Sequence, residues 1–132
     1  MSQETMARVV DALYAECALG NWDKVAEMVT DDLEIVEAAG LPMEGTYRGK
    51  NALRDLFTKV FGMIDIAGVD IFDRCYGEDH VVALARMNFA DPSLAPAELA
   101  EAFRFRGDQV CAIIPYYFDQ APVRAAAALK AG

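Results

Sequence analysis

The chain has 132 residues, of which 55% are hydrophobic and 25% charged, and its formal net charge is −9. This length and apolar content predict a single domain with a hydrophobic core and exclude a disordered chain. The acidic balance argues against nucleic acid and anionic membranes as partners. No apolar run approaches the ~18 residues of a membrane span. The N-terminal segment, with Glu4 near its start, lacks the layout of a signal peptide.

The first half of the chain has helical periodicity in three places and strand alternation in one. Apolar residues recur every three or four positions in residues 3–19, 22–29 and 50–61, which predicts three helices. Leu33 to Ala38 alternates and predicts a short strand, with Ile35 and Glu37 on one face. Residues 40–49 are rich in glycine and predict a loop.

The second half of the chain predicts strands. Residues 66–76 and 80–90 are two of them, separated by a Gly-Glu-Asp turn. Residues 97–120 predict a β-hairpin whose arms, 101–105 and 110–118, flank an Arg-Gly-Asp-Gln turn. The alanine-rich residues 121–132 form either a docked helix or a frayed tail.

Helices first and strands last is the order of an α+β domain. We therefore predict three helices packed on a strongly curved, mostly antiparallel sheet, a cone-shaped α+β barrel with a cavity between its layers. The domain spans residues 1–132, with its core in about 5–120.

The cysteines and the histidine indicate no metal site. Cys17, Cys75 and Cys111 are widely spaced beside apolar or aromatic residues, which predicts reduced, buried thiols in a cytoplasmic protein. His80 follows an acidic turn, where we expect it exposed. No His/Cys ligand set is left, and we predict neither metal nor cofactor.

Polar residues on strands that are otherwise apolar are the candidates for a site. Glu37 is either a general base, with a pKa raised by an apolar pocket, or a glutamate at the solvated rim. Glu101 is either a second acid/base group or the counter-ion of Arg86. Asn88 and Tyr116 are either hydrogen-bond donors to a ligand or structural polar residues of the wall.

Unbroken strand alternation sorts these candidates by face. It groups Ile35 with Glu37 and Glu101 with Phe103 and Phe105. Two further sets lie on their own strands, Leu84 with Arg86 and Asn88, and Ile114 with Tyr116 and Phe118. We expect all of these faces to line the cavity, with Tyr14, Trp22 and Phe57 as core or lining residues on the helices. The predicted ligand-binding set is Ile35, Arg86, Asn88, Phe103, Tyr116, Phe118, Trp22 and Phe57.

The order of elements resembles the nuclear-transport-factor-2-like superfamily, also called SnoaL-like. The segments that carry the resemblance are Gly20–Asp23, Val29–Asp32, Gly45–Lys50, Phe103–Asp108 and Tyr117–Asp119. The fold hosts isomerases, cyclases, dehydratases, epoxide hydrolases and binding proteins. The resemblance also implies a homodimer through the outer face of the sheet, for which Arg104, Val110 and Tyr117 are candidates.

Within this superfamily, ketosteroid isomerase holds an enolate oxygen between donors while a carboxylate moves the proton. Glu37 is similar in position to its aspartate base, and Glu101 to its protonated aspartic acid. An ungapped match puts Leu13 at the tyrosine of that site, one residue before Tyr14. One residue along a helix turns a side chain by about 100°, so the resemblance alone does not put Tyr14 in the place of that tyrosine.

The chain also resembles limonene-epoxide hydrolase, in residues 61–72, 86–88 and 116–119. Arg86 matches the arginine of that family's water-activating set. Asn88 and Tyr116 stand where its two aspartates would be, and Ile35 and Glu37 replace its Tyr/Asn pair. These replacements argue against epoxide hydrolysis.

Two functions are consistent with this sequence. One is an enzyme of the isomerase, cyclase or dehydratase kind that moves protons on a small apolar carbonyl compound, with Glu37, Glu101 and Tyr14 as catalytic residues. The other is a non-catalytic domain that binds a small apolar ligand or forms a structural dimer.

Overall fold

A computed structural model describes residues 1–132 as four helices and six strands. The helices are α1 (Gln3–Leu19), α2 (Trp22–Glu27), α3 (Ala52–Met63) and α4 (Ala121–Ala131). The strands are β1 (Val29–Glu37), β2 (Gly45–Arg48), β3 (Ile66–Tyr76), β4 (His80–Phe89), β5 (Ala97–Arg106) and β6 (Gln109–Tyr117).

The six strands form one curled sheet in the order β2-β1-β6-β5-β4-β3. Strands β1 and β6 pair parallel, and all other neighbours pair antiparallel. The predicted α+β class with a mostly antiparallel sheet is confirmed. The barrel is not closed, because β2 and β3 are free edges.

The N-terminal helix follows its sequence signals closely. Ser2 caps α1 by accepting the Thr5 backbone N–H at 3.1 Å, and Gly20 ends it with a left-handed φ of 72°. The buried side of α1 is the predicted apolar stripe, formed by Met6, Val10, Leu13 and Cys17. This stripe fixes the rotation of α1 over the sheet.

Strand β1 is longer than predicted, and β2 was not predicted at all. Residues 29–32 extend β1 because Val29 pairs with Val110 of β6, and this pairing outweighs the helical pattern that precedes it. Strand β2 lies in the predicted loop 40–49, where Arg48 pairs with Glu34 of β1. Both differences come from partners distant in sequence, which local patterns do not report.

A β-bulge decides which residues of β6 face the helices. Phe105 lies opposite Val110, but the preceding residue, Arg104, lies opposite Ala112. Cys111 is therefore an extra residue, and every later residue of β6 changes face relative to an unbroken ladder.

One hydrophobic cluster of 28 buried residues lies between the helices and the inner face of the sheet. It includes Val123 and Ala126 of α4, so the C-terminal segment is a docked helix. The three cysteines are unpaired, and Cys75 is exposed, so its predicted burial is wrong. None of the helices combines the length and apolarity needed to cross a membrane.

Gly40 holds the loop between β1 and β2 against α4. Its φ is +96°, and a Cβ at this position would lie 2.6 Å from Oε1 of Gln120. Gln120 also donates to the Ala39 carbonyl and accepts from Arg124, so moving it aside breaks these bonds.

Replacing Gly40 with alanine should therefore lower the free energy of unfolding by about 1–3 kcal/mol in urea denaturation. Gly49→Ala is the matched control, because Gly49 has a φ of +102° and no neighbour within 4 Å. Equal losses in the two variants would mean that the contact with Gln120 contributes nothing.

Candidate functional site

A small cavity lies between the helices and the sheet. Its volume is ≈ 130 Å³, and 17 of its 19 lining residues are hydrophobic. A dry apolar cavity of about 150 Å³ holds one benzene molecule. A space of this volume therefore suits one six-membered ring or a chain of similar size.

Two exposed apolar side chains mark the mouth of this cavity. Phe61 at the end of α3 and Val69 on β3 line the cavity and are 48% and 40% exposed. Lys130 of α4 donates to the Phe61 carbonyl at 3.0 Å and to Oδ1 of Asp65 at 2.8 Å. Helix α4 thus ties down the segment that borders the opening.

Glu37 and Glu101 are the carboxyl groups of the lining. Glu101 lies opposite Pro115 of the intervening strand β6, and Ile35 lies beside Ile113. By the same register, Glu37 falls beside Pro115. The two glutamates are therefore two strand spacings apart, about 10 Å between Cα atoms, and both face the cavity.

Glu37 is buried without a hydrogen-bonding partner for one of its oxygens. Its side chain is 5% exposed, and Oε1 contacts no donor. Burial, and then the charge of Glu101, raise the pKa of Glu37 from 4.5 to about 8. At neutral pH this carboxyl is mostly protonated.

Glu101 has a partner. The hydroxyl of Tyr14 donates to Oε1 of Glu101, and the Tyr14 ring meets Phe103 edge-on at 5.7 Å. Burial raises the pKa of Glu101 above its usual value, and the bond from Tyr14 offsets only part of this rise. Burial and the charge of Glu101 also raise the pKa of Tyr14, so the phenol keeps its proton and acts as a donor.

The structure thus brings Tyr14, Glu37 and Glu101 to one cavity, together with the predicted lining residues Ile35, Phe57 and Phe103. Leu13, the residue before Tyr14 on α1, also lines the cavity. Trp22 does not line it, but packs behind Phe57 with ring centroids 5.6 Å apart.

The predicted inward positions of Arg86 and Asn88 are wrong. On β4 the buried residues alternate from Val81 to Phe89, an entirely apolar face, which leaves Arg86 and Asn88 on the other face. There Arg86 donates to Oε1 of Glu98 at 3.2 Å, and Asn88 donates to Oδ2 of Asp70 at 2.9 Å. This arrangement avoids burying an uncompensated guanidinium. Arg86 is therefore not the partner of Glu101.

The predicted lining roles of Tyr116 and Phe118 are also wrong. These side chains are 59% and 88% exposed. The bulge at Cys111 reverses the alternation of β6 and brings Tyr117 to the cavity in place of Tyr116. Nothing in the local sequence marks this bulge. The neighbouring strand reveals it, because Tyr117 lies opposite the buried Leu99.

Tyr117 and Cys17 complete the titratable groups of the lining. Burial, Glu37 and Glu101 together raise the pKa of Tyr117, which therefore stays protonated. Burial and the neighbouring Glu101 raise the pKa of the Cys17 thiol to about 12. No lysine, arginine or histidine lines the cavity, and no three His, Cys, Asp or Glu side chains are grouped to hold a metal ion.

Residues 10–113, most of the chain, match the family model of the SnoaL-like domain. The protein belongs to the SnoaL-like family. The matched region contains all three of Tyr14, Glu37 and Glu101. No curated protein matches this SnoaL-like sequence significantly.

Solved structures share the fold of this SnoaL-like protein at low sequence identity. An NTF2-like protein from Burkholderia xenovorans superposes with a TM-score of 0.81 at 21% identity, over 96% of this chain and 98% of the other. A hypothetical protein from Catenulispora acidiphila, with a ketosteroid isomerase-like fold and in complex with trimethylamine, has a TM-score of 0.72 at 19% identity, over 91% and 92%. TerC, co-crystallised with polyporic acid, has a TM-score of 0.81 at 13% identity, over 94% and 98%.

Proposed function

We propose that this protein is a cofactor-free enzyme that moves a proton on a small, largely apolar carbonyl compound. The observation that carries the proposal is the placement of two carboxyl groups, Glu37 and Glu101, on one apolar cavity without a cation in its lining. Such an acid/base pair is suited to isomerisation, cyclisation or dehydration.

The pair supplies an acid and a base at the same pH. Two carboxyl groups on one apolar cavity without a cation do not both ionise near neutrality, chiefly because burial disfavours each charge, so the pair retains a proton. One member then accepts a proton from carbon, and the other donates a hydrogen bond to oxygen. Both roles are filled without a metal or an organic cofactor.

Isomerisation of a β,γ-unsaturated ketone illustrates the reaction. The carboxylate removes a proton from the carbon between the carbonyl and the double bond, and the C–H electron pair forms a dienolate. The protonated carboxyl stabilises the dienolate oxygen through its hydrogen bond. Return of the same proton to the γ carbon gives the conjugated ketone and restores the carboxylate.

The size of the cavity selects the first compound to test. A six-membered cyclic ketone with a β,γ double bond is close in size to this cavity of ≈ 130 Å³, which opens beside Phe61 and Val69. Its conversion is followed by the ultraviolet absorbance of the conjugated product. Two proteins of this fold, crystallised with trimethylamine and with polyporic acid, support the presence of small organic molecules in such structures.

A binding function without turnover is the second candidate, and the almost wholly apolar lining favours it. Calorimetric titration of the saturated cyclic ketone separates the two candidates. Binding with no conversion of the unsaturated ketone, under conditions where the protein is folded, would support the binding function and contradict the enzyme.

We also propose that the protein is a homodimer through the outer face of its sheet. Two apolar rows cross that face along the strand register, Val82–Ala102–Ile114 and Leu84–Ala100–Tyr116. Of the residues predicted for this face, Arg104 is exposed, but Val110 is buried and Tyr117 lines the cavity, so the last two placements are wrong.

Ile114→Glu should therefore convert the dimer to a monomer in light scattering at micromolar concentration, because it places a charge inside the apolar interface. Leu19→Glu is the control, since Leu19 is 72% exposed at the end of α1, away from the sheet. A wild-type protein that is monomeric under these conditions would contradict the proposal.

A further inference from the structure

The two carboxyl groups of the cavity differ in their contacts. Glu101 accepts a hydrogen bond from the Tyr14 hydroxyl. Oε1 of Glu37 has no partner, although it is buried. A donated hydrogen bond stabilises the charged form of a carboxyl group, whereas burial without a donor favours the neutral form. Burial disfavours charge on both groups, and the contacts favour the charged form more at Glu101 than at Glu37.

The other titratable groups around the cavity reinforce this difference. Helix α1 contributes Tyr14 and Cys17, and β6 contributes Tyr117, all of them protonated at neutral pH. No cation in the lining offsets a second negative charge. Loss of solvation on burial raises the pKa of Glu37, and with Glu101 charged an ionised Glu37 would also face a like charge across an apolar space.

We propose that Glu37 is the hydrogen-bond donor to the substrate oxygen and that Glu101, held by Tyr14, is the base that removes the proton from carbon. This assignment rests on the proposed function and reverses the roles implied by the resemblance to ketosteroid isomerase. The substrate would place its carbonyl oxygen against Glu37 on β1 and its acidic C–H bond against Glu101 on β5.

Infrared spectroscopy tests the assignment without a substrate. A protonated carboxyl group has a carbonyl stretch distinct from that of a carboxylate, and exposed carboxyl groups are ionised at neutral pH. In the wild-type protein at neutral pH we expect one band from a protonated carboxyl group. This band should be lost in Glu37→Gln and kept in Glu101→Gln. Its midpoint should move to lower pH in Glu101→Gln, because the repulsion from Glu101 is gone while the burial remains.

The opposite pattern overturns the assignment: a band that Glu101→Gln removes and Glu37→Gln keeps. A wild-type protein with no protonated carboxyl at neutral pH overturns it as well. If Glu37→Gln does not fold, Glu37→Asp replaces it, since a shortened carboxyl shifts the band and leaves its assignment readable.

The Tyr14→Phe variant tests the assignment of Glu101 in a second, independent way. Loss of the donated hydrogen bond should raise the pH at which Glu101 gains a proton, and a second protonated band should appear at higher pH than in the wild type. Tyr117→Phe is the control, because the Tyr117 hydroxyl bonds to neither carboxyl group although it lines the same cavity. Equal shifts in the two tyrosine variants would contradict the role of Tyr14.

The proposed function and this assignment fail in different ways. Ketone turnover that both glutamine variants abolish, with the band assigned to Glu101, would keep the function and overturn the roles. A band assigned to Glu37 in a protein that converts no ketone would keep the difference in protonation and overturn the function.

Discussion

Glu37→Gln should lower turnover of the cyclic ketone by ~10²–10⁴-fold, the range that a positioned acid or base contributes. Glu101→Gln should lower it to a similar extent. Glutamine keeps the size of the side chain but neither accepts a proton from carbon nor donates from a carboxyl O–H. The effect should fall mainly on kcat, since the apolar lining that binds the ring is unchanged.

The matched control for both variants is Glu98→Gln. Glu98 lies on the same strand as Glu101, but on the outer face, where it pairs with Arg86 at 3.2 Å. Its replacement makes the same Glu-to-Gln change outside the cavity and should leave turnover within a factor of about two, because Glu98 lies on the other face of the sheet. Unchanged turnover in Glu37→Gln would refute the role of this residue, and a large loss in Glu98→Gln would indicate a general effect of charge.

The stability of the protein should fall as the pH rises from about 4.5 to about 8. Glu37 has a higher pKa in the folded protein than in the unfolded chain, so the folded state binds the extra proton through this interval. The stabilisation that protonated Glu37 gives the folded state is fully present below pH 4.5 and is lost as the pH passes about 8. The loss amounts to about 3–5 kcal/mol of unfolding free energy, to which Glu101 adds in the same direction.

Urea denaturation at a series of pH values measures this loss. Glu37→Gln should flatten the profile, because glutamine does not titrate, and the slope that remains belongs to Glu101. Asp32 and Asp91 do not interfere, since their pKa values are lowered from 3.8 and affect stability only in more acidic solution. Identical profiles for the wild type and Glu37→Gln would show that Glu37 is solvated in the folded protein.

The sequence by itself determined the layers of the fold and half of the cavity wall. Helical spacing identified the buried stripe of α1, and alternation grouped the residues that share the inner faces of β1 and β5. Glu37 and Glu101 were found in this way, because each lies on a strand face whose other members are apolar. Periodicity is sufficient where a strand runs without interruption and one face must be buried.

Tertiary structure alone decided the rest. The bulge at Cys111 exchanged Tyr116 for Tyr117, and the pairing of β4 with its neighbours turned Arg86 outward. The rotation of α1 against β5 placed the Tyr14 hydroxyl on Glu101, which no pattern within α1 could report. Alternation states which residues share a face, whereas the identity of the inner face, and the contacts made across it, depend on pairing and packing between segments distant in the chain.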